Sequence, residues 1–207
     1  LSSNLDQKIL TLKEAGVKIM TRTTAFGLYD YGVAGLLERI TDHQSLPSEY
    51  DPRQRFWTVR TKHIILATGA IERPIAFGNN DRPGVMGASA AHTYLNRFAI
   101  LPGKKIIICT NNDSAYLPAL ELSKAGAEVK LLDARSGIED SLSEKVLRKG
   151  LDLQMNAAPL NVNGSRGVKS LDIALEKKNK WQRGNTELCD LILVSGGWSP
   201  VVHLLSH

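Results

Sequence analysis

The stretch KKIIICTNNDSAYLPALELSKAGAEVKLLDA, residues 104–134, determines the fold that the sequence predicts. KKIIICT is a short, isoleucine-rich run that predicts a buried strand. SAYLPALELSKAG predicts a helix that ends at Gly126, and AEVKLLDA predicts a second strand. A strand, a helix and a strand in this order form a βαβ unit with parallel strands.

Two further apolar runs flank this unit, and both end in small residues. HIILATG, residues 63–69, predicts a strand whose core, residues 64–67, is apolar on both faces, and CDLILVSGG, residues 189–197, predicts another. Ligands of open α/β sheets bind at the carboxyl ends of the strands. We therefore expect a cofactor to contact these strand ends, although two tight turns that need glycine would give the same pattern. The candidate cofactor-binding residues are Ala67, Thr68, Gly69, Gly196 and Gly197.

The loop TNNDSA, residues 110–115, occupies the place of a phosphate-binding turn. A dinucleotide fold prefers glycine at the first and second positions of this turn and a small residue at the third. Counted back from the end of the helix, these positions fall on Thr110, Asn112 and Ala115. Only the third position fits, and we expect the helix to begin near Ala115.

Asp133 ends the second strand of the βαβ unit. A carboxylate at this place can accept hydrogen bonds from a ribose 2′-hydroxyl group. It would repel a 2′-phosphate, so a dinucleotide bound here is expected to be NAD rather than NADP, although Arg135 could offset the repulsion. The alternative is a strand-end aspartate that caps a turn.

The order of elements predicts an α/β protein in which a Rossmann-like βαβ dinucleotide-binding domain is inserted into a partial FAD/NAD(P)-binding domain. We expect residues 1–101 and 188–207 to form the outer domain, with the HIILATG and CDLILVSGG strands in its sheet. Residues 102–187 form the predicted insertion. Within it, SLSEKVLRKG predicts a helix with a capping box from Ser141 to Glu144 that ends at Gly150.

Composition excludes several functions. The 207 residues carry a net charge of +5, no nucleic-acid motif accompanies the basic residues, and no apolar run is long enough to span a membrane. The five histidines show no spacing typical of a metal site, and no catalytic constellation is recognisable. Cys109 and Cys189 lie within or beside apolar runs, so we expect inert thiols and a cytoplasmic location. The missing CxxC motif excludes a thiol reductase.

The predicted arrangement resembles that of the pyridine-nucleotide flavoprotein reductases, in which an NAD-type domain interrupts an FAD-type domain after an ATGA strand. The strings LATGAIERPIAFGNNDRPGVM, TYLNR, TNNDSAY and VSGGWSPVVHL resemble more specifically the alpha subunits of heterotetrameric sarcosine oxidases. This resemblance covers essentially the whole chain. It implies an internal piece of a longer subunit, whose first glycine-rich βαβ unit would come earlier.

The resemblance also implies a function for the assembled enzyme. Such enzymes oxidise sarcosine at a flavin, use oxygen as the electron acceptor and transfer the one-carbon unit to tetrahydrofolate through a domain not present here. The alpha subunit would bind NAD, and FAD and FMN would belong to the assembly with a flavin-bearing beta subunit and small subunits. Two hypotheses remain: this chain holds a dinucleotide, or it is a scaffold with vestigial sites that docks the flavin subunit of a sarcosine, amine or opine oxidase.

Overall fold

The computed structural model describes residues 2–139, 142, 146 and 148–206. Contacts divide the chain into two compact units: unit 1 consists of Leu1–Thr68 with Val201–His207, and unit 2 of Gly69–Pro200. None of the helices in the part of the chain that is described is long and apolar enough to cross a membrane.

Unit 1 combines one helix with an antiparallel sheet of three strands in the order β1-β2-β3. β3 lies at the edge of this sheet, and Arg55 and Arg60 are exposed on it. The Trp57 indole donates a hydrogen bond to the Glu38 carboxylate on β2 at 2.8 Å. The elements are α1 Ser2–Glu14, β1 Thr23–Tyr29, β2 Val33–Arg39 and β3 Gln54–Arg60.

Unit 2 contains a parallel sheet of five strands in the order β5-β12-β6-β7-β8, an antiparallel sheet in the order β11-β10-β9, and a short β13-β4 pair. The predicted βαβ unit is confirmed as β6, α3 and β7. The elements are β4 Ala70–Glu72, β5 Val85–Gly87, α2 Ala88–Phe98, β6 Lys105–Thr110, α3 Tyr116–Lys124, β7 Glu128–Asp133, β8 Asp152–Met155, β9 Ala157–Asn163, β10 Ser170–Lys177, β11 Lys180–Leu188, β12 Leu191–Ser195 and β13 Trp198–Pro200.

Both faces of the parallel sheet are covered, which explains why its central strands are apolar throughout. Ile106 and Ile108 on β6 pack into one core with residues of α2 and α3. Ile107 and Cys109, on the opposite face of the same strand, pack into a second core with Leu171 and other residues of the antiparallel sheet. The side chains of β12 alternate between the two cores in the same way.

The predicted place of the CDLILVSGG strand was wrong. This strand, β12, pairs in parallel with β5 on one side and β6 on the other, inside unit 2. β12 therefore belongs to the same sheet as β6 and β7 of the predicted insertion. Its alternate side chains pack into the two cores on either face of that sheet. The HIILATG segment forms no strand at all, although the structure describes every one of its residues.

The two units also differ from the predicted domain limits, 1–101 with 188–207 and 102–187. The segment that carries β4, β5 and α2 belongs to unit 2, as does β12. Whether the units fold as separate domains stays a prediction. The predicted capping box, Ser141 to Glu144, lies outside the described residues, and Gly150 has the positive φ of 65° expected after a helix.

Candidate functional site

Four strands of unit 2 end side by side at the carboxyl edge of the parallel sheet. Ser195 at the end of β12 is in register with Thr110 at the end of β6, and Thr110 is in register with Asp133 at the end of β7. Gly87 ends β5 opposite Val194. This edge is where ligands of open α/β sheets bind, so we call it the carboxyl edge and treat it as the candidate site.

Thr110 takes the first glycine position of the predicted phosphate turn, and its side chain is buried. Its hydroxyl oxygen accepts the Asn112 N–H at 3.1 Å. The same hydroxyl lies within donating distance of two carbonyl oxygens, 2.9 Å from that of Asn112 and 3.2 Å from that of Ser195. The turn is thus tied to the end of β12 by a side chain where a glycine would leave space.

Asn112 takes the second glycine position. Its backbone is extended, with φ −154°, so the position does not need the positive φ that glycine or asparagine can adopt. Its side-chain oxygen accepts the backbone N–H of Ser114 at 3.0 Å and also the Ser114 hydroxyl. Its side-chain amide donates to the Ser195 carbonyl at 2.9 Å. Asn112 therefore caps the short 3-10 turn, Asp113–Ala115, that leads directly into α3.

Trp198 lies at the start of β13 and reaches the same turn. Its indole N–H donates to the Ser114 hydroxyl at 2.9 Å, while the residue remains 42% exposed. The contact joins positions that are 84 residues apart in the chain. Trp198, Ser114 and Asn112 form a continuous hydrogen-bonded chain across the predicted phosphate position.

Gly196 and Gly197 lie between β12 and β13, where the chain itself approaches their backbone. A Cβ at Gly196 would stand 2.8 Å from the Pro74 carbonyl oxygen and 3.0 Å from that of Arg73. Gly197 has φ +101°, and a Cβ there would meet the Arg73 guanidinium at 2.8 Å. The close backbone contacts therefore require glycine at position 196, and the positive φ favours glycine at position 197.

Asp133 is fully buried, and both of its carboxylate oxygens have partners. The Tyr116 hydroxyl donates to Oδ2 at 2.7 Å, the Arg135 backbone N–H donates to Oδ1 at 2.9 Å, and the Arg135 guanidinium donates to both oxygens. Arg135 also pairs with the Asp113 carboxylate at 2.7 Å. Burial, followed by the bond to Asp133, raises the pKa of Tyr116.

Glu72, at the end of β4, occupies the start of α2 at the same edge. Its carboxylate accepts the Ser89 backbone N–H at 2.9 Å and the Ser89 hydroxyl at 2.7 Å. A negative charge at a helix start is stabilised by the free N–H groups and the helix dipole. The start of α2 is therefore also capped by a side chain of this chain.

Ala67, Thr68 and Gly69 lie in the segment without regular secondary structure between β3 and β4. The Thr68 hydroxyl donates to the Val201 carbonyl at 2.5 Å within unit 1. Gly69, the first residue of unit 2, has φ +76°, and a Cβ built on it meets no atom within 4 Å. The backbone at Gly69 is thus open to a close approach.

The structure brings together the predicted residues that lie in unit 2 at the ends of β6, β7 and β12: Thr110, Asn112, Ala115, Asp133, Gly196 and Gly197. Ala115 is fully buried, as the third motif position requires. Sequence reasoning missed the residues that fill this edge: Glu72, Ser114, Tyr116, Ser195 and Trp198. The polar Ser195 at the end of an apolar strand was the clearest signal available.

Metal or thiol chemistry finds no support at this edge. Within the described ranges, no three His, Cys, Asp or Glu side chains are grouped so that they could hold a metal ion. Cys109 and Cys189 are free and buried. Burial raises the pKa of Cys109 and also that of Cys189, the latter to about 12, so both thiols are protonated at neutral pH.

The fold resembles the FAD- and NAD(P)-binding domains of flavoprotein reductases. The T. acidophilum thioredoxin reductase superposes on all of this chain with a TM-score of 0.66 at 13% identity, over 62% of its own length. The Lactococcus lactis thioredoxin reductase covers 94% of the chain with a TM-score of 0.59 at 18% identity, over 59% of its own length. The chain therefore has the fold of this class.

Within this class, the sequence is similar to that of sarcosine oxidase alpha subunits, as predicted. The subunit of Rhizobium meliloti (strain 1021) is 38% identical over 92% of this chain, and that of Corynebacterium sp. (strain U-96) is 38% identical over 90%. The chain spans 18% and 20% of the lengths of these curated relatives. No protein-family model matches the sequence.

Proposed function

We propose that the chain is part of the NAD-binding alpha subunit of a sarcosine oxidase, which demethylates sarcosine oxidatively together with a flavin-bearing beta subunit and small subunits. The observation that carries the proposal is the 38% identity to such a subunit over 92% of this chain. Both relatives are named as subunits of an oxidase, which supports an oxidoreductase acting within an assembly.

The contacts within this chain support a division of labour in that enzyme. The polar side chains Asn112, Tyr116 and Trp198 at the carboxyl edge are hydrogen-bonded to other groups of this chain. We therefore assign the oxidation step, with FAD and FMN, to the assembled enzyme, NAD to the intact subunit, and tetrahydrofolate to another part of it. The two buried, protonated thiols are consistent with a location in the cytoplasm.

The second candidate function is a non-catalytic scaffold that docks the flavin subunit of a related amine or opine oxidase. The mutual bonding of Asn112, Ser114 and Trp198 favours a structural role for unit 2, because it uses the groups that would otherwise bind a ligand. In this reading, the relatives share the architecture while their substrates differ.

The test is to assay hydrogen peroxide production with sarcosine, using the full-length subunit co-expressed with its flavin-bearing partner. We expect sarcosine-dependent peroxide from the assembly and none from the 207-residue chain alone. An assembly that oxidises another secondary amine or an opine but leaves sarcosine untouched would contradict the proposal and favour the second candidate. Peroxide production by the isolated chain would contradict the division of labour.

A further inference from the structure

We infer that the carboxyl edge of unit 2 is filled by the chain's own side chains and takes no dinucleotide pyrophosphate. The fold of this unit is one that binds NAD(P) in flavoprotein reductases, and the residues at the turn can be tested against that ligand. They do not fit it in backbone donors, in space or in charge.

Backbone donors are the first requirement, because a pyrophosphate is held by the free N–H groups at the start of the helix after the first strand. Here the Asn112 N–H is bonded to the Thr110 hydroxyl and the Ser114 N–H to the Asn112 side chain. The Tyr116 N–H is bonded to the Asp113 carbonyl. Three donors of the turn are therefore already used within the chain.

Space is the second requirement. The first two glycines of the motif allow the tight turn and the close approach of phosphate, whereas the third allows the helix to pack on the strand. Thr110 and Asn112 fill the first two positions, and the Trp198 indole is hydrogen-bonded above them through Ser114. Ala115 keeps the third position small and fully buried. The third position therefore still lets the helix pack on the strand. The first two positions carry side chains where a phosphate group would need space.

Charge is the third requirement. The Asp113 carboxylate, with a side chain 51% exposed, lies in the first turn before α3, where a phosphate group would lie. The Arg135 guanidinium bridges Asp113 and Asp133 and is therefore already neutralised. A pyrophosphate at this turn would face one uncompensated carboxylate, and like charges close together repel each other.

The predicted ribose contact fails on the same geometry. Asp133 has no exposed surface, and its oxygens accept from Tyr116 and from Arg135. A ribose hydroxyl would have to displace one of these donors and expose a buried carboxylate. We therefore assign Asp133 to the stability of unit 2 and expect the NAD of the intact subunit to be held elsewhere.

The first test is calorimetric titration of NAD⁺ into the 207-residue chain and into its Asn112→Ala and Asp133→Ala variants, with folding checked by circular dichroism. We expect no saturable binding with a dissociation constant below about 1 mM. Micromolar binding that either folded variant abolishes would overturn the inference. If NAD⁺ binds and both folded variants bind it equally well, the ligand lies away from the carboxyl edge. That result would support the inference.

The second test follows the Ser114 backbone amide by NMR and does not depend on any variant binding a ligand. Inorganic pyrophosphate should leave the Ser114 signal of the native chain unshifted, and a saturable shift would overturn the inference. Hydrogen exchange at Ser114 should rise roughly fivefold or more in Asn112→Ala but not in the control Asn111→Ala, since only the former removes its acceptor. Unchanged exchange in Asn112→Ala would also overturn it.

These tests are independent of the proposed function. If pyrophosphate bound at the carboxyl edge, the assembled enzyme could still oxidise sarcosine, and the peroxide assay would decide that question. Conversely, an assembly inert to sarcosine would leave the closed turn of unit 2 unaffected.

Discussion

Asp133 and Asp113 both pair with the Arg135 guanidinium but differ in burial. Comparing substitutions at the two positions therefore isolates the effect of burial. Asp133 is fully buried and accepts from Tyr116 as well, whereas the Asp113 side chain is 51% exposed. A buried carboxylate is tolerated only when its partners replace the water that it has lost. Its removal therefore breaks several bonds in a desolvated place.

We predict that Asp133→Asn lowers the free energy of unfolding by about 1–3 kcal/mol, the cost of unsatisfied buried partners. The control Asp113→Asn should cost less than about 1 kcal/mol, because exposed ion pairs contribute little. Urea denaturation at pH 7 measures both values. Equal losses in the two variants would show that the buried network around Asp133 does not stabilise unit 2 as described.

Asp172 on β10 gives a pH-dependent prediction. Its carboxylate accepts from the Thr186 hydroxyl at 2.6 Å, the Asn163 amide at 2.9 Å and the Arg183 guanidinium at 2.8 Å. The hydrogen bond from Thr186, followed by those from Asn163 and Arg183, lowers the pKa of Asp172 below its usual value, although burial opposes the shift. A lowered pKa in the folded state stabilises the protein above the unfolded pKa.

We therefore expect this contribution to be complete above about pH 4–5 and to be lost as the pH falls through the lowered pKa. In Asp172→Asn, the fall of unfolding free energy between about pH 5 and pH 2 should be shallower than in the native chain. The exposed Asp81, replaced by asparagine, is the control and should keep the native slope. Thermal unfolding across this pH range is the measurement, and an unchanged acid slope in Asp172→Asn would contradict the assignment.

At the scale of elements, the segment of residues 63–69 shows how a strand depends on its neighbours. Its pattern is that of a central strand apolar on both faces, yet it forms no strand in the described structure, and Ile65 is 92% exposed. A strand is stabilised by hydrogen bonds and packing from both sides. The strand propensity of residues 63–69 is therefore not sufficient to form a strand without neighbouring strands that pair with it.

We predict that the Ile64 and Ile65 amides exchange rapidly in the 207-residue chain and at least about 100-fold more slowly in the full-length subunit. The reason is that pairing with neighbouring strands would protect them. Hydrogen–deuterium exchange followed by mass spectrometry of peptides that span residues 63–69 gives both rates. Rapid exchange in the full-length subunit would contradict a central strand here.

The sequence predicted β6, α3 and β7 because local periodicity and the helix-ending Gly126 determine them. It did not predict the sheet of β12, because an apolar run indicates a strand but not its neighbours. For the site, the expectation that ligands bind at the carboxyl ends of strands indicated Thr110, Asn112 and Gly196, and these residues lie at one edge of the sheet. It could not show that Trp198 bonds to Ser114, since that contact depends on how two remote segments pack.

At the scale of the whole molecule, the chain is a small part of its relatives, about a fifth of their length. Unit 2 has the fold of a nucleotide-binding domain, but its carboxyl edge is bonded within itself. At Gly69, the first residue of unit 2, an added Cβ would meet no atom within 4 Å. We propose that the intact subunit holds a dinucleotide and that the carboxyl edge of unit 2 has a structural role.

The most direct test is mass spectrometry of the nucleotides released from the purified full-length subunit, native and with Asn112→Ala. We predict about one NAD per subunit in both preparations, because we propose that the intact subunit binds NAD and that the carboxyl edge of unit 2 does not hold it. A native subunit that releases no nicotinamide dinucleotide would contradict the proposed function. Release of NAD by the native subunit but not by a folded Asn112→Ala variant would contradict the closed edge.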